Sequence, residues 1–220
     1  MKRKILLAAT ASLCTTLLLA ACSGPAHAPR RGVYMLIDTS GTYTQEINKA
    51  QQIISYLLAS LNPGDSLAVA RIDTASFNEK DIVAKASFDD RPSVANQQKR
   101  QFVEEVQKFV KNAKSSAYTD ITGGLLQAVE WLGEKQTEQK VIIVFSDMKE
   151  ELPKGYVRDI ALPMVGFEVV AVNVTKLRSD NVDPREYLDR LAEWEKRIKN
   201  GGGTFRVIND LERLEGLLPQ

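Results

Sequence analysis

Five oxygen-bearing side chains fall in three separated places in the sequence. Asp38, Ser40 and Thr42 alternate in the run Asp38-Thr39-Ser40-Gly41-Thr42, Thr119 precedes Asp120, and Asp147 follows Ser146. A hard divalent cation such as Mg2+ takes oxygen donors in near-octahedral geometry at roughly 2.0–2.1 Å and keeps some of its waters. The hydroxyls of Ser40, Thr42 and Thr119 are neutral, so they orient an ion without discharging it. With Asp38 and Asp147 supplying the negative charge, directly or through water, a bound ion stays electrophilic and takes a carboxylate from a partner. Local readings compete with this one. Thr42 and Gln45 have capping-box spacing, Thr119 can cap a helix that follows it, and an aspartate at a strand end serves as a turn former. What sets the five apart is their joint placement, in order, at one end of a sheet.

That placement depends on the elements around them. From Gly32 onward, short β-branched runs alternate with longer amphipathic stretches, the pattern of an α/β domain with a largely parallel sheet. Strands are expected at 33–37, 67–72, 82–88, 141–145, 167–174 and 204–207. The link between the second and third is too short for a helical crossover, so that pair should be antiparallel at the sheet edge. Helices are expected at 44–61, at 98–114, after Thr119, from the Asp183-Pro184 cap to about Lys199, and across Leu211, Leu214 and Leu217. Each candidate ligand then follows the C-terminal end of a strand or opens a helix facing the same way, where open α/β sheets place their ligands. Asp73, after the second strand, is a turn residue that can also reach the rim. Gly123-Gly124 lacks the strand, loop and lysine of a phosphate-binding motif.

The order of these pieces resembles the von Willebrand factor type A (vWA) family. Asp38-x-Ser40-x-Thr42 looks like its D-x-S-x-S motif, Thr119 like its separate loop threonine and Asp147 like its final aspartate. The resemblance spans Gly32 to Leu218. It implies a Rossmann-like, doubly wound, mostly parallel six-stranded sheet with one antiparallel edge strand. It also implies a metal-ion-dependent adhesion site holding Mg2+, with Mn2+ and Ca2+ as alternatives, that captures an exposed carboxylate of a protein partner. Two positions depart from the family. Thr42 stands for its second serine, and Met148 for the glycine that often follows the last aspartate, so Lys149, Glu150 and Glu151 can border the site. A metal-independent vWA scaffold in an envelope assembly is the alternative that keeps the fold and drops the ion.

Other chemistries are poorly served. Asp38-Thr39-Ser40-Gly41-Thr42 also resembles the D-x-D-x-[TV] motif of haloacid-dehalogenase-like phosphatases, but Ser40 replaces the acid that must donate a proton. His27 is the single histidine, and it lies in a Ser-Gly-Pro-Ala-rich linker, so a histidine-activated serine is not expected. The chain reads as a non-enzyme.

The N-terminal segment carries an address. Lys2, Arg3 and Lys4 precede an apolar stretch from Ile5 to Leu19 that reads as a secretory signal. Leu19-Ala20-Ala21-Cys22 matches the lipobox of bacterial lipoproteins, which implies cleavage before Cys22 and a lipid on its thiol. The expected organisation is a signal peptide at 1–21, a lipid-anchored linker at 22–31 and the domain at 32–220. Ser23 after the cysteine favours the outer over the inner membrane. Cys14 and Cys22 are the two cysteines, so the domain has no thiol for a disulfide, zinc or a nucleophile. Loss of the three N-terminal basic residues takes the formal net charge from +1 to −2, and no basic patch points to nucleic acid.

Overall fold

A computed structural model describes residues 28–219, apart from 42, 74, 75 and 77, and gives only the backbone of 43–45. Thr42, Cys22 and the whole signal segment therefore lie outside the described residues.

The strands are β1 (Arg31–Asp38), β2 (Ser66–Ile72), β3 (Ile82–Ser87), β4 (Gln139–Phe145), β5 (Phe167–Val172) and β6 (Thr204–Ile208). They form one six-stranded sheet in the order β3-β2-β1-β4-β5-β6. β1 pairs in parallel with both β2 and β4, β5 and β6 extend the parallel run, and β3 lies antiparallel on β2 as the edge. β1 is central and buried from Gly32 to Asp38, which is why it reads as a continuous apolar run without alternation.

Among the described residues four α-helices cover the two faces: α1 (Tyr43–Ser60), α2 (Pro92–Asn112), α3 (Ile121–Gly133) and α4 (Pro184–Asn200). Val33, Met35 and Ile37 share a core with Ile53 and Leu57 of α1 and Phe102 and Val106 of α2. On the other face Tyr34 and Leu36 pack with Leu125 and Leu132 of α3 and Trp194 and Ile198 of α4. The pleat sends successive β1 side chains to opposite faces, so one strand serves both cores. Among the described residues no helix is long and apolar enough to cross a membrane.

Three expectations need correction. α2 begins at Pro92, six residues before the expected Gln98, because proline is accommodated in a first helical turn where its missing N–H is not needed. β5 ends at Val172, since Asn173 turns left-handed at φ 54°. The last apolar stretch forms a single 3-10 turn, Leu214–Gly216, in place of a helix. There the Leu217 N–H donates to the Leu214 carbonyl at 2.9 Å, an i to i+3 bond, and the Arg206 guanidinium donates to the Gly216 and Leu217 carbonyls.

Candidate metal centre

β1 delivers Asp38 to the C-terminal edge of the sheet, where it is 1% exposed. Its Oδ1 accepts the Ser40 N–H at 2.8 Å and its Oδ2 accepts the Ser146 hydroxyl at 2.7 Å. Ser146 follows β4, so the two central strands meet through this bond. Among the described residues Asp38 forms no ion pair. Burial raises its pKa, hydrogen bonds from Ser40 and Ser146 oppose the rise, and the charge of Glu151 adds to it.

Asp147 stands one residue beyond Ser146. Its Oδ1 accepts the Lys149 N–H at 2.8 Å. Its carboxyl is pushed up to about 6, chiefly by burial, against that backbone bond, and further by the charge of Asp38. Asp147 is thus a poorly solvated carboxyl with a like charge near it.

A cleft of about 280 Å3 opens beside them, lined by Ser40, Thr119, Asp147, Lys149, Glu151 and Leu177, among others. Of the five residues read from the sequence, Ser40, Thr119 and Asp147 share this cleft. Asp38 does not line it but is bonded to Ser40, which does, and Thr42 lies outside the described residues. Among the described residues no three acidic, histidine or cysteine side chains converge as a metal cage. The candidate donors are instead two carboxylates and neutral hydroxyls, a set whose chemistry would suit a hard cation that keeps some of its waters.

Backbone bonds stitch the three loops together. Ser116 N–H donates to the Thr39 carbonyl at 2.9 Å, and Thr119 and Glu151 exchange N–H···O bonds of 2.7 and 3.0 Å. Thr119 is not the helix cap: Asp120 is, accepting the Gly123 N–H at 2.8 Å. Asp73 acts as a brace, since the Ser116 hydroxyl donates to its Oδ1 at 2.5 Å. The glycine pair has a packing role. A Cβ on Gly123 would stand 2.4 Å from the Asp120 carboxylate, and one on Gly124 would stand 2.9 Å from Leu36. Only glycines let α3 approach β1 this closely while its cap stays in place.

Several supporting residues escaped sequence reasoning. The Arg190 guanidinium donates to the Asp147 carbonyl at 3.0 Å and to Asp180 at 2.8 and 3.1 Å. One helical turn on, the Trp194 indole N–H donates to the Met148 carbonyl at 2.8 Å. These two α4 side chains hold consecutive carbonyls of the loop that carries Asp147. Between them Met148 is fully buried and left-handed at φ 64°, a conformation that costs a non-glycine residue about 1–2 kcal/mol. A methionine tolerates the position because its side chain is buried and its carbonyl is pinned. The i, i+4 spacing of Arg190 and Trp194 was visible in the sequence, but their targets were not. Of the charged continuation, Lys149 and Glu151 border the cleft, while Glu150 turns to the Thr122 N–H and Arg197.

A parallel sheet with one antiparallel edge strand, carrying an oxygen-lined cleft at its C-terminal edge, defines the chain as an α/β domain of the Rossmann-like type. It belongs to the von Willebrand factor type A domain family, whose sequence model matches residues 32–217. Among solved structures it is similar to a von Willebrand factor type A protein from Catenulispora acidiphila, at 16% identity and TM-score 0.53, covering 85% of this chain and 40% of that one. It is also similar to the pilus adhesin SpaC from Lactobacillus rhamnosus, at 10% identity and TM-score 0.55, covering 86% and 29%. The PilB minor pilin from Streptococcus sanguinis aligns at 11% identity and TM-score 0.51, covering 89% and 60%. At these identities the likeness is one of fold, and the chain spans less than two thirds of each of these proteins. No enzymatic family is indicated. A comparison with curated protein sequences gave no match.

Proposed function

We propose that this chain is a lipid-anchored envelope protein whose domain binds a protein partner through a divalent cation held at the C-terminal edge of the sheet. In this reading residues 1–21 are a signal peptide, Cys22 carries the lipid, 22–31 form the tether, and 32–220 form the binding domain. Two or three acyl chains at ~0.8 kcal/mol per buried CH2 hold such a protein on a bilayer, the outer membrane being favoured by Ser23. The domain performs no catalysis.

The observation that carries the proposal is the pair Asp38 and Asp147: one buried without an ion-pair partner among the described residues, the other with its carboxyl raised to about 6. A nearby cation would offset the burial that raises both carboxyls and the charge of Asp38 that adds to the rise at Asp147. Asp38 and Asp147 would supply the charge, and the Ser40, Thr42 and Thr119 hydroxyls would orient the ion, Mg2+ first, with Mn2+ and Ca2+ as alternatives. When bound, the cation supplies a positive centre that accepts a carboxylate from outside. The backbone pairing of Thr119 with Glu151 would hold the middle loop in place while the partner engages. The pilus adhesin and minor pilin among the structural neighbours lend general support to a surface-binding role.

The test is calorimetric titration of the domain with MnCl2 and MgCl2. The wild type should bind one ion, and Asp38→Ala should abolish the heat while leaving the circular dichroism spectrum unchanged. Equal binding by the two proteins would remove the mechanism.

A further inference from the structure

The mouth of the cleft carries a charge pair that the proposed ion site does not use. Lys149 and Glu151 both line the cleft with Ser40, Thr119 and Asp147, and the Lys149 ammonium is paired with the Glu151 carboxylate. Each side chain is about half exposed, 51% and 49%. Glu151 cannot drift away, because its backbone is bonded to Thr119 in both directions. Lys149 is anchored as well, since its N–H is bonded to the Asp147 carboxylate. The structure therefore places a half-exposed carboxylate and a half-exposed ammonium at the same opening, paired with one another and each held through its backbone to a candidate ligand.

We propose that Glu151 is a built-in competitor for the ion and that Lys149 is the counter-ion that keeps it disengaged. This inference rests on the reading of the cleft as a cation site and adds its regulation. With Lys149 holding Glu151, no three carboxylates converge among the described residues, and the site is left free for an outside acid. Released from Lys149, the Glu151 carboxylate reaches into the cleft it already lines and occupies the place a partner's carboxylate would take. The pair thus trades two affinities against each other: Glu151 strengthens retention of the ion and weakens capture of an external carboxylate, and Lys149 shifts that balance back. The partner this arrangement favours is one presenting several carboxylates close together, which can outcompete a single tethered glutamate.

The experiment uses Mn2+ as the ion and acetate as the external carboxylate. Ion affinity is read by calorimetry, and acetate binding by the fall in water-proton relaxation of protein-bound Mn2+ as inner waters are replaced. Glu151→Gln should weaken Mn2+ binding about fivefold, as expected for loss of one unit charge near the ion in a well-solvated site, and should strengthen acetate binding by a similar factor. Lys149→Met should do the reverse on both readouts. Wild-type Mn2+ affinity and acetate response in both variants would overturn the gate while leaving the ion site standing. Absence of Mn2+ binding in the wild type, unchanged by Asp38→Ala, would overturn the gate and the ion site together.

Discussion

Two buried aspartates at the same edge of the sheet receive opposite treatment. Asp120, fully buried, meets the Arg158 guanidinium through contacts of 2.7–3.2 Å and also accepts the N–H groups of Gly123 and Ser76. Asp38, as deeply buried, is given hydroxyls and one N–H but no cationic side chain among the described residues. A carboxylate removed from water must be neutralised, hydrogen-bonded or protonated. Around Asp120 the neutralising charge is part of the chain, and the group is a strut that caps α3 and ties the 152–163 stretch to it. Around Asp38 the chain supplies hydrogen bonds and no cationic side chain among the described residues, which is what the proposed ion would complete. The contrast separates an acid answered by a cationic side chain from one answered by hydrogen bonds alone, without reference to any relative.

The largest expected effect tests that contrast directly. Arg158→Ala strands Asp120 unpaired and should cost about 3–5 kcal/mol of unfolding free energy, measured by urea denaturation. Asp38→Asn, measured in chelator, should leave stability unchanged or raised, because it removes a charge that the fold does not answer. If the two substitutions are equally damaging, the distinction between the regions is lost.

The pH dependence gives an intermediate effect. Asp147 titrates at about 6 in the folded protein, against an ordinary 3.8, so the folded state holds that proton after the unfolded state has released it. Stability contributed by this group is present below about pH 4 and falls as pH rises through about 6. Urea unfolding in chelator should show that decline in the wild type and a flatter profile in Asp147→Asn. Affinity for the proposed ion should move the other way, falling as pH drops below about 6, because a ligand must be deprotonated.

The smallest effect sharpens the comparison from the side of α4. Trp194→Phe keeps the buried ring area but deletes the N–H that holds the Met148 carbonyl, and should lower stability by about 1 kcal/mol. If the pinned loop matters for the proposed site, the same change should weaken Mn2+ binding two- to threefold, on the order of 0.5 kcal/mol by the usual conversion. Loss of stability with unaltered ion affinity would confine Trp194 to packing.

Much of the architecture was legible because it is written in local patterns. The six strands, the antiparallel edge and the helices on each face follow from apolar runs, helical periodicity and connection lengths, and they place Asp38, Thr119 and Asp147 at one edge. The failures were equally local. Pro92 opens a helix earlier than apolar spacing indicated, and Leu211 to Leu217 has helical spacing but forms only the 3-10 turn Leu214–Gly216.

What composition and order determined by themselves was the family of fold and the kind of atoms brought to the sheet edge, since periodicity is set by burial and burial by side-chain chemistry. Only the tertiary structure decided which charges are answered and which are left open. Arg158 lies 38 residues from Asp120 and Arg190 lies 43 from Asp147, separations over which no sequence rule assigns partners. Folding alone brings a guanidinium to one buried carboxylate and withholds it from another.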